Sequence, residues 1–101
     1  MGVYCDTACN PIGVCEISHG VVNASPVQPR EVLIRGLLLG AARVMIVHNH
    51  PSGDEKPSKE DTNTAKRLKE GCNLIGIPLI DFIVIGDGYF SFQEKGLLGD
   101  L

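Results

Sequence analysis

Two short apolar runs constrain the fold of this chain more than any other feature. "RVMIVHNH" at residues 43–50 and "IPLIDFIVIG" at 77–86 are rich in apolar and β-branched residues and bounded by turn residues. Their length suits strands better than helices, so each run predicts a buried strand. The second run ends at Asp87-Gly88, a hairpin signature, which predicts that "YFSF" at 89–92 is an antiparallel partner.

The first twenty residues predict a hairpin of their own. "GVYCD" at residues 2–6 is typical of a short strand. "VCEISHG" at 14–20 alternates apolar and polar side chains, which is typical of a strand with one solvent-exposed face. Between them Asn10, Pro11 and Gly13 form a turn signature. The two segments are therefore expected to pair antiparallel.

Residues 27–43 change to helical spacing. Pro29 is well placed as the first helical residue, and Gly40 is a plausible C-terminal stop. Gly36 inside the helix costs about 1 kcal/mol relative to alanine, which suggests that it marks a close helix–sheet contact. The predicted inward face comprises Val32, Leu33, Leu37 and Leu38.

Residues 56–76 predict a second helix. Ser58 is a suitable N-cap, and Ala65, Leu68 and Cys72 form the inward stripe. The order of elements is therefore β-β-α-β-α-β-β, which predicts an α/β protein of the α+β type, with a mixed sheet carrying helices. At 101 residues it is expected to be one domain, spanning 1–101.

Composition excludes several classes of function. A formal net charge of −3 provides no global positive field, which disfavours nucleic-acid binding. No apolar run reaches the roughly 18–20 residues of a membrane span, and no signal peptide is visible. The four cysteines, Cys5, Cys9, Cys15 and Cys72, lack zinc-knuckle spacing. We interpret them as reduced thiols of a cytoplasmic protein, with disulfides among the first three as the alternative.

Two of the three histidines lie one residue apart at the end of the strand at 43–50. Side chains at i and i+2 share a face of a strand, so His48 and His50 project the same way with Cα atoms roughly 6.5–7 Å apart. Asn49 points to the other side. This separation allows two imidazole nitrogens to converge on one ion.

The loop after His50 leads directly to "PSKED", which puts Ser58 and Asp61 in the first turn of the second helix. Two neutral imidazoles and a carboxylate suit Zn²⁺ and leave one tetrahedral position for water. Ser58 is then placed to donate to an oxyanion. Ser58 and Asp61 also form a capping-box pattern, so a capping role and a ligand role for Asp61 are equally supported and can coexist.

"HNHPSG" followed by "PSKED" resembles the RadC family, a bacterial branch of the JAMM (MPN-domain) metalloproteases. The shared pattern is His-x-His, seven residues, then Ser-x-x-Asp, and it falls on His48, His50, Ser58 and Asp61 without a gap. The likeness continues through "PREV" at 29–32 and "GIPLIDFIVIGDGYFS" at 76–91. It implies a fold related to cytidine deaminases and a zinc-dependent peptidase or isopeptidase, with the two histidines and Asp61 as ligands and Ser58 assisting catalysis.

The chain departs from that family in two places. JAMM enzymes use a glutamate as general base, located before or at the start of the first hairpin strand. The segment before that strand contains no acid here, so the chain is expected to lack the family's N-terminal segment. Glu16 and Glu31 are the alternatives, although Glu16 more simply faces water and Glu31 more simply complements a helix dipole.

The second departure is Phe82, where RadC-like sequences often carry histidine after the aspartate of "LID". Asp81 is therefore expected to have a structural partner, since a buried carboxylate is costly unless it is hydrogen-bonded. His19, before Gly20, is expected to be a turn-side residue rather than part of the site.

Three functions follow from these patterns. The first is a zinc metallohydrolase acting on a peptide or isopeptide. The second is a non-catalytic metal-binding or protein-interaction module with the same fold, and the third is the DNA-repair role of the family's historical label. The acidic charge and 5% aromatic content oppose the third. An exposed sheet edge makes a homo-oligomer possible.

Overall fold

The computed structural model describes residues 1–15 and 28–101. Its strands are β1 (Gly2–Cys5), β2 (Pro11–Cys15), β3 (Arg43–Asn49), β4 (Leu79–Ile85) and β5 (Tyr89–Ser91). Its helices are α1 (Pro29–Leu39) and α2 (Lys59–Ile75), and a short 3₁₀ helix, Leu98–Asp100, follows β5. The predicted order β-β-α-β-α-β-β is confirmed.

The five strands form one mixed sheet in the order β2-β1-β3-β4-β5. Strands β3 and β4 run parallel, with α2 as the crossover between them, while the other neighbouring pairs are antiparallel. A parallel pair needs such a crossover, and the helix covers one face of the sheet. The architecture is therefore α+β with a mixed sheet, as predicted.

The core lies between the sheet and helix α2. Alternate residues of β3, Val44 and Ile46, are buried, as period-2 alternation requires. They belong to one hydrophobic cluster with the inward stripe of α2. That stripe is the predicted one: Ala65, Leu68 and Cys72 are all fully buried.

Helix α1 begins at Pro29 and ends at Leu39; its C-cap is Gly40, whose φ of 63° is the left-handed conformation that glycine adopts without strain. Gly36 marks a close contact, as predicted: a Cβ there would lie 3.3 Å from the Tyr4 ring. The Tyr4 hydroxyl also donates to the Val32 carbonyl over 2.9 Å, which joins α1 to β1.

The predicted inward face of α1 is partly wrong. Val32 is buried and Leu33 is partly buried, but Leu37 is 57% exposed and Leu38 is 82% exposed. The close approach at Gly36 leaves room for a narrow contact stripe only, so leucines on the flanks of that stripe face outward. Helical spacing predicted an apolar face wider than the one the sheet covers.

The turn of the first hairpin lies earlier than predicted. Asp6 makes the turn by accepting the backbone amides of Ala8 and Asn10. Pro11 already begins β2, an edge strand, where its missing N–H is tolerated, and Gly13 pairs with Tyr4. The rest of the predicted second strand, residues 16–20, lies outside the described residues.

The four cysteines form no disulfide with one another in the structure; Cys5 and Cys72 are buried and Cys9 is exposed. Burial raises the pKa of the Cys72 thiol to about 11. Within residues 1–15 and 28–101, none of the helices combines the length and the apolar character that a membrane span requires.

Candidate metal centre

The end of strand β3 carries both histidines of the predicted site. His48 lies within the strand and His50 directly follows it. Their rings are edge-on, with centroids 5.1 Å apart and planes at 86°. The intervening Asn49 is exposed, whereas the two histidine side chains are only 14% and 16% exposed. Strand alternation therefore puts both imidazoles on one face, as predicted.

The start of helix α2 supplies the carboxylate. Ser58 is the N-cap in extended conformation, and its hydroxyl accepts the Asp61 amide over 3.1 Å. The Asp61 carboxylate accepts the Ser58 amide in return over 2.8 Å, which completes the capping box. This pair satisfies two backbone amides at the helix start and holds the carboxylate in one orientation.

The Asp61 carboxylate meets both histidines. Its Oδ1 lies 2.9 Å from His48 Nδ1, and its Oδ2 lies 2.8 Å from His50 Nε2. The candidate ligand atoms of the three residues all lie within 4.8 Å of one another. Asp61 is 4% exposed, so this carboxylate is buried beneath the two rings. The structure thus brings His48, His50 and Asp61 together at one point.

The other nitrogen of His50 has a partner that restricts the protonation of the ring. His50 Nδ1 lies 2.8 Å from the Asp54 carbonyl oxygen, which can only accept, so Nδ1 carries a proton. In a neutral ring Nε2 would then be unprotonated, and its lone pair would face a carboxylate oxygen. A proton held between His50 Nε2 and Asp61 Oδ2, or a metal ion that replaces it, would satisfy this contact. Metal binding displaces such protons from ligands.

The charge state of Asp61 suits a cation ligand. Burial by itself raises the pKa of this carboxyl, but hydrogen bonds from Ser58 and the nearby His48 outweigh it and hold the pKa below its ordinary value. An ionised carboxylate and two imidazole nitrogens make a donor set that matches zinc. The residues present therefore fit the metal that the sequence predicts.

Ser58 lies at the rim of this site. The residue is exposed, and its hydroxyl oxygen accepts the Asp61 amide. That bond leaves the hydroxyl hydrogen available as a donor. Among the described residues the three-ligand group includes no further acid, and Glu31 lies exposed in the first turn of α1. Glu16 and His19 lie outside the described residues.

Asp81 has the structural role expected of it. Its carboxylate accepts the Ser91 hydroxyl over 2.5 Å and the backbone amides of Phe82 and Gln93 over 2.7 and 3.0 Å. These bonds tie β4 to the turn after β5. Phe82 is fully buried and packs edge-on against Phe92, with ring centroids 5.6 Å apart.

Sequence patterns missed the role of the loop between His50 and Ser58. The Asp54 backbone carbonyl orients the His50 ring, although nothing in the identity of residue 54 reveals this. The loop turns at Gly53, whose φ is 85°, and the Gly53 carbonyl accepts the Asp87 amide over 2.7 Å. "PSG" at 51–53 signals the turn, but not its contact with the β4–β5 connection.

Comparison with known proteins gives a consistent result. The model of the RadC-like JAB domain matches residues 1–97. A UPF0758 protein of Clostridium acetobutylicum is 52% identical over 88 residues, covering 86% of this chain and 38% of that protein. One from Stenotrophomonas maltophilia is 43% identical over 99 residues, or 97% of this chain and 42% of that protein. The chain thus spans about two-fifths of the length of these curated relatives.

Proposed function

Because this chain belongs to the RadC-like JAB domain family, we propose that His48, His50 and Asp61 bind one zinc ion and that the domain hydrolyses peptide or isopeptide bonds. The proposal rests above all on His50. Its Nδ1 proton is committed to the Asp54 carbonyl, while Nε2 faces the Asp61 carboxylate at 2.8 Å. A cation bound by both His50 Nε2 and the Asp61 carboxylate would account for this close contact. Two imidazoles with one carboxylate are typical zinc ligands.

Bound zinc would supply a coordinated water with a pKa of about 7 and would polarise the substrate carbonyl. The chain's own residues prepare this chemistry. Asp61 remains ionised because its pKa is lowered, and the capping box holds its orientation. The exposed Ser58 hydroxyl is free to donate to a carbonyl oxygen that gains negative charge.

Measuring bound zinc per chain tests the metal site. We expect near-stoichiometric zinc in the wild type and loss of zinc from H48A, H50A and D61A. N49A is the matched control, because Asn49 lies between the two histidines but is exposed on the other side. Unchanged zinc in all three ligand variants rejects the site. Anomalous scattering at the zinc edge identifies both the ion and its ligands.

A second function keeps the metal but omits the chemistry. Among the described residues, the group around His48 includes no further carboxylate that could act as the general base of JAMM enzymes. A group without a general base favours a metal-binding or protein-interaction module over an enzyme. Peptide cleavage by this chain, and by the chain extended with the preceding segment of a longer relative, separates the two: cleavage by either protein favours the enzyme.

Other parts of the proposal remain predictions. We propose a peptide or isopeptide as partner, a cytoplasmic location and a homo-oligomer formed through an edge strand. We do not expect nucleic acid as a partner, because the net charge is −3. A salt-sensitive gel shift with DNA would contradict that exclusion and support the DNA-repair role.

A further inference from the structure

We infer that Gly86 is a positioning residue for His50: its missing side chain lets the β4–β5 connection hold the loop whose Asp54 carbonyl fixes the His50 ring. The inference rests on the proposed function only for its effect on metal binding. Gly86 lies outside the three-ligand group and follows the end of β4. It acts through the loop at 50–54, not on the metal.

The last residue of β4 and the first two residues of the β4–β5 connection touch this loop. The Ile85 carbonyl accepts the His50 amide over 2.8 Å, at one end of the loop. The Asp87 amide donates to the Gly53 carbonyl over 2.7 Å, next to the loop's turn. Gly86 lies between these two hydrogen bonds. The loop is therefore attached to the connection on both sides of Gly86, which leaves little freedom to move away from it.

The contact at Gly86 has no room for a side chain. A Cβ added there would lie 2.3 Å from the Gly53 carbonyl oxygen and 2.7 Å from the Asp54 carbonyl carbon. Carbon–oxygen contacts in proteins usually begin at about 3.3 Å. The atoms in the way are backbone, so they cannot rotate aside as a side chain would.

Glycine is needed at residue 86 for space and not for backbone conformation. The φ of Gly86 is not positive, whereas that of Gly53 is 85°. An alanine at 86 would therefore act by pushing away the carbonyl groups of Gly53 and Asp54. The Asp54 carbonyl oxygen is the atom that accepts the His50 Nδ1 proton over 2.8 Å.

Displacement of this carbonyl would release the His50 ring. Partners of a ligand's second nitrogen set the tautomer and the orientation of the ring, and losing them commonly weakens metal binding. His48 provides an internal comparison, because its Nδ1 faces Asp61 and not this loop. A substitution at Gly86 that displaces the loop should therefore affect the orientation of the His50 ring more than that of His48.

Gly88 gives a matched control in the same connection. A Cβ added there would meet only the Glu55 side chain, at 3.6 Å, which is an ordinary contact. The φ of Gly88 is not positive either, so alanine fits its backbone conformation. G86A and G88A thus make the same chemical change two residues apart, and they differ in whether the added methyl group strikes the loop backbone.

The first measurement is zinc affinity by calorimetric titration of wild type, G86A and G88A. We expect about 10- to 100-fold weaker binding by G86A, the range typical when a ligand's outer partner is lost. G88A should bind as the wild type does. Equal affinities for G86A and G88A would overturn the inference.

The second measurement uses the metal-free protein, so that it stands even where the zinc proposal fails. Long-range ¹H–¹⁵N NMR should show a hydrogen-bonded Nδ1–H on His50 in the wild type and in G88A, and its loss in G86A. If the wild type binds no zinc but these spectra behave as expected, the metal proposal fails and the positioning role stands. An unchanged His50 Nδ1–H signal in G86A overturns the positioning role.

A third measurement covers the case in which G86A does not fold. Hydrogen exchange of the wild type should show the amides of His50 and Asp87 protected together, because both join the loop to the β4–β5 connection. Exchange of the Asp87 amide at the rate of an unstructured chain would show that the connection does not hold the loop, and would contradict the inference.

Discussion

Ser58 and Asp61 hydrogen-bond to each other twice, and this one pair both starts helix α2 and orients the carboxylate of the candidate metal centre. The Asp61 amide donates to the Ser58 hydroxyl over 3.1 Å, and the Ser58 amide donates to Asp61 Oδ2 over 2.8 Å. The same Oδ2 faces His50, while Oδ1 faces His48. The capping role and the position facing the histidines, equally supported by the sequence, therefore coexist.

Replacement of Ser58 by alanine separates the two roles of this pair. S58A removes the hydroxyl acceptor but keeps the backbone amide that binds Asp61, so we expect zinc binding to persist. The free energy of unfolding of the metal-free protein should fall by about 1 kcal/mol, the usual loss for an N-cap. S58T, which keeps a hydroxyl, is the control in denaturant titrations. An S58A variant as stable as the wild type, or one that loses zinc as D61A does, contradicts this prediction.

Zinc should stabilise the folded protein through Asp61. A ligand that binds only the folded state, at 100 times its Kd, adds about 2.7 kcal/mol to the free energy of unfolding. We expect a rise in Tm of the wild type on adding zinc, reversal by a chelator, and no rise for D61N, which has nearly the same shape without the charge. The same rise in D61N would mean that zinc binds elsewhere.

Tyr4 should make the fold sensitive to alkaline pH. Burial raises the pKa of its hydroxyl from 10.0 to about 12. As the pH rises, the unfolded chain loses this proton before the folded protein does. The contribution of Tyr4 to the free energy of unfolding is therefore fully present below pH 10 and is lost as the pH rises towards 12. Two pKa units correspond to on the order of 2–3 kcal/mol.

The Y4F variant isolates this effect from other groups, such as the Cys72 thiol, that titrate in the same range. The difference in free energy of unfolding between wild type and Y4F should shrink between pH 10 and 12. A difference that stays constant over this range would show that Tyr4 ionises equally in both states.

The two helices should respond very differently to loss of a leucine. Leu68 of α2 is fully buried, so L68A should cost about 2–5 kcal/mol. Leu38 of α1 is 82% exposed, so L38A should change the stability by less than about 0.5 kcal/mol. Urea titrations of the two variants measure both values. A large cost for L38A would imply that another surface covers this leucine in solution.

Much of the fold followed from local patterns. Pro29 and Gly40 bound α1, and Ser58 begins α2, because caps and helix breakers act within a few residues of the chain. The stripe on α2 was predicted correctly because its buried side chains repeat at helical spacing. The outer leucines of α1 were not, since an apolar residue can remain exposed and spacing alone does not reveal how much of a helix the sheet covers.

The candidate site shows the same division. Period-2 alternation puts His48 and His50 on one face, and the short loop to Ser58 brings a carboxylate near them. The protonated Nδ1 of His50 was not predictable, because its partner is a backbone carbonyl of Asp54. Every residue has such a carbonyl, so the identity of residue 54 carries no signal of this contact.

The sequence by itself determined the succession of strands and helices, the shared face of the two histidines and the cap that begins α2, because each depends on neighbours within a few residues. Only the tertiary structure decided how deeply α1 buries its leucines, and how the β4–β5 connection holds the loop against His50. Those outcomes depend on the packing of segments distant in sequence, here the backbones of Gly53 and Gly86, and a backbone contact is not encoded in any one side chain.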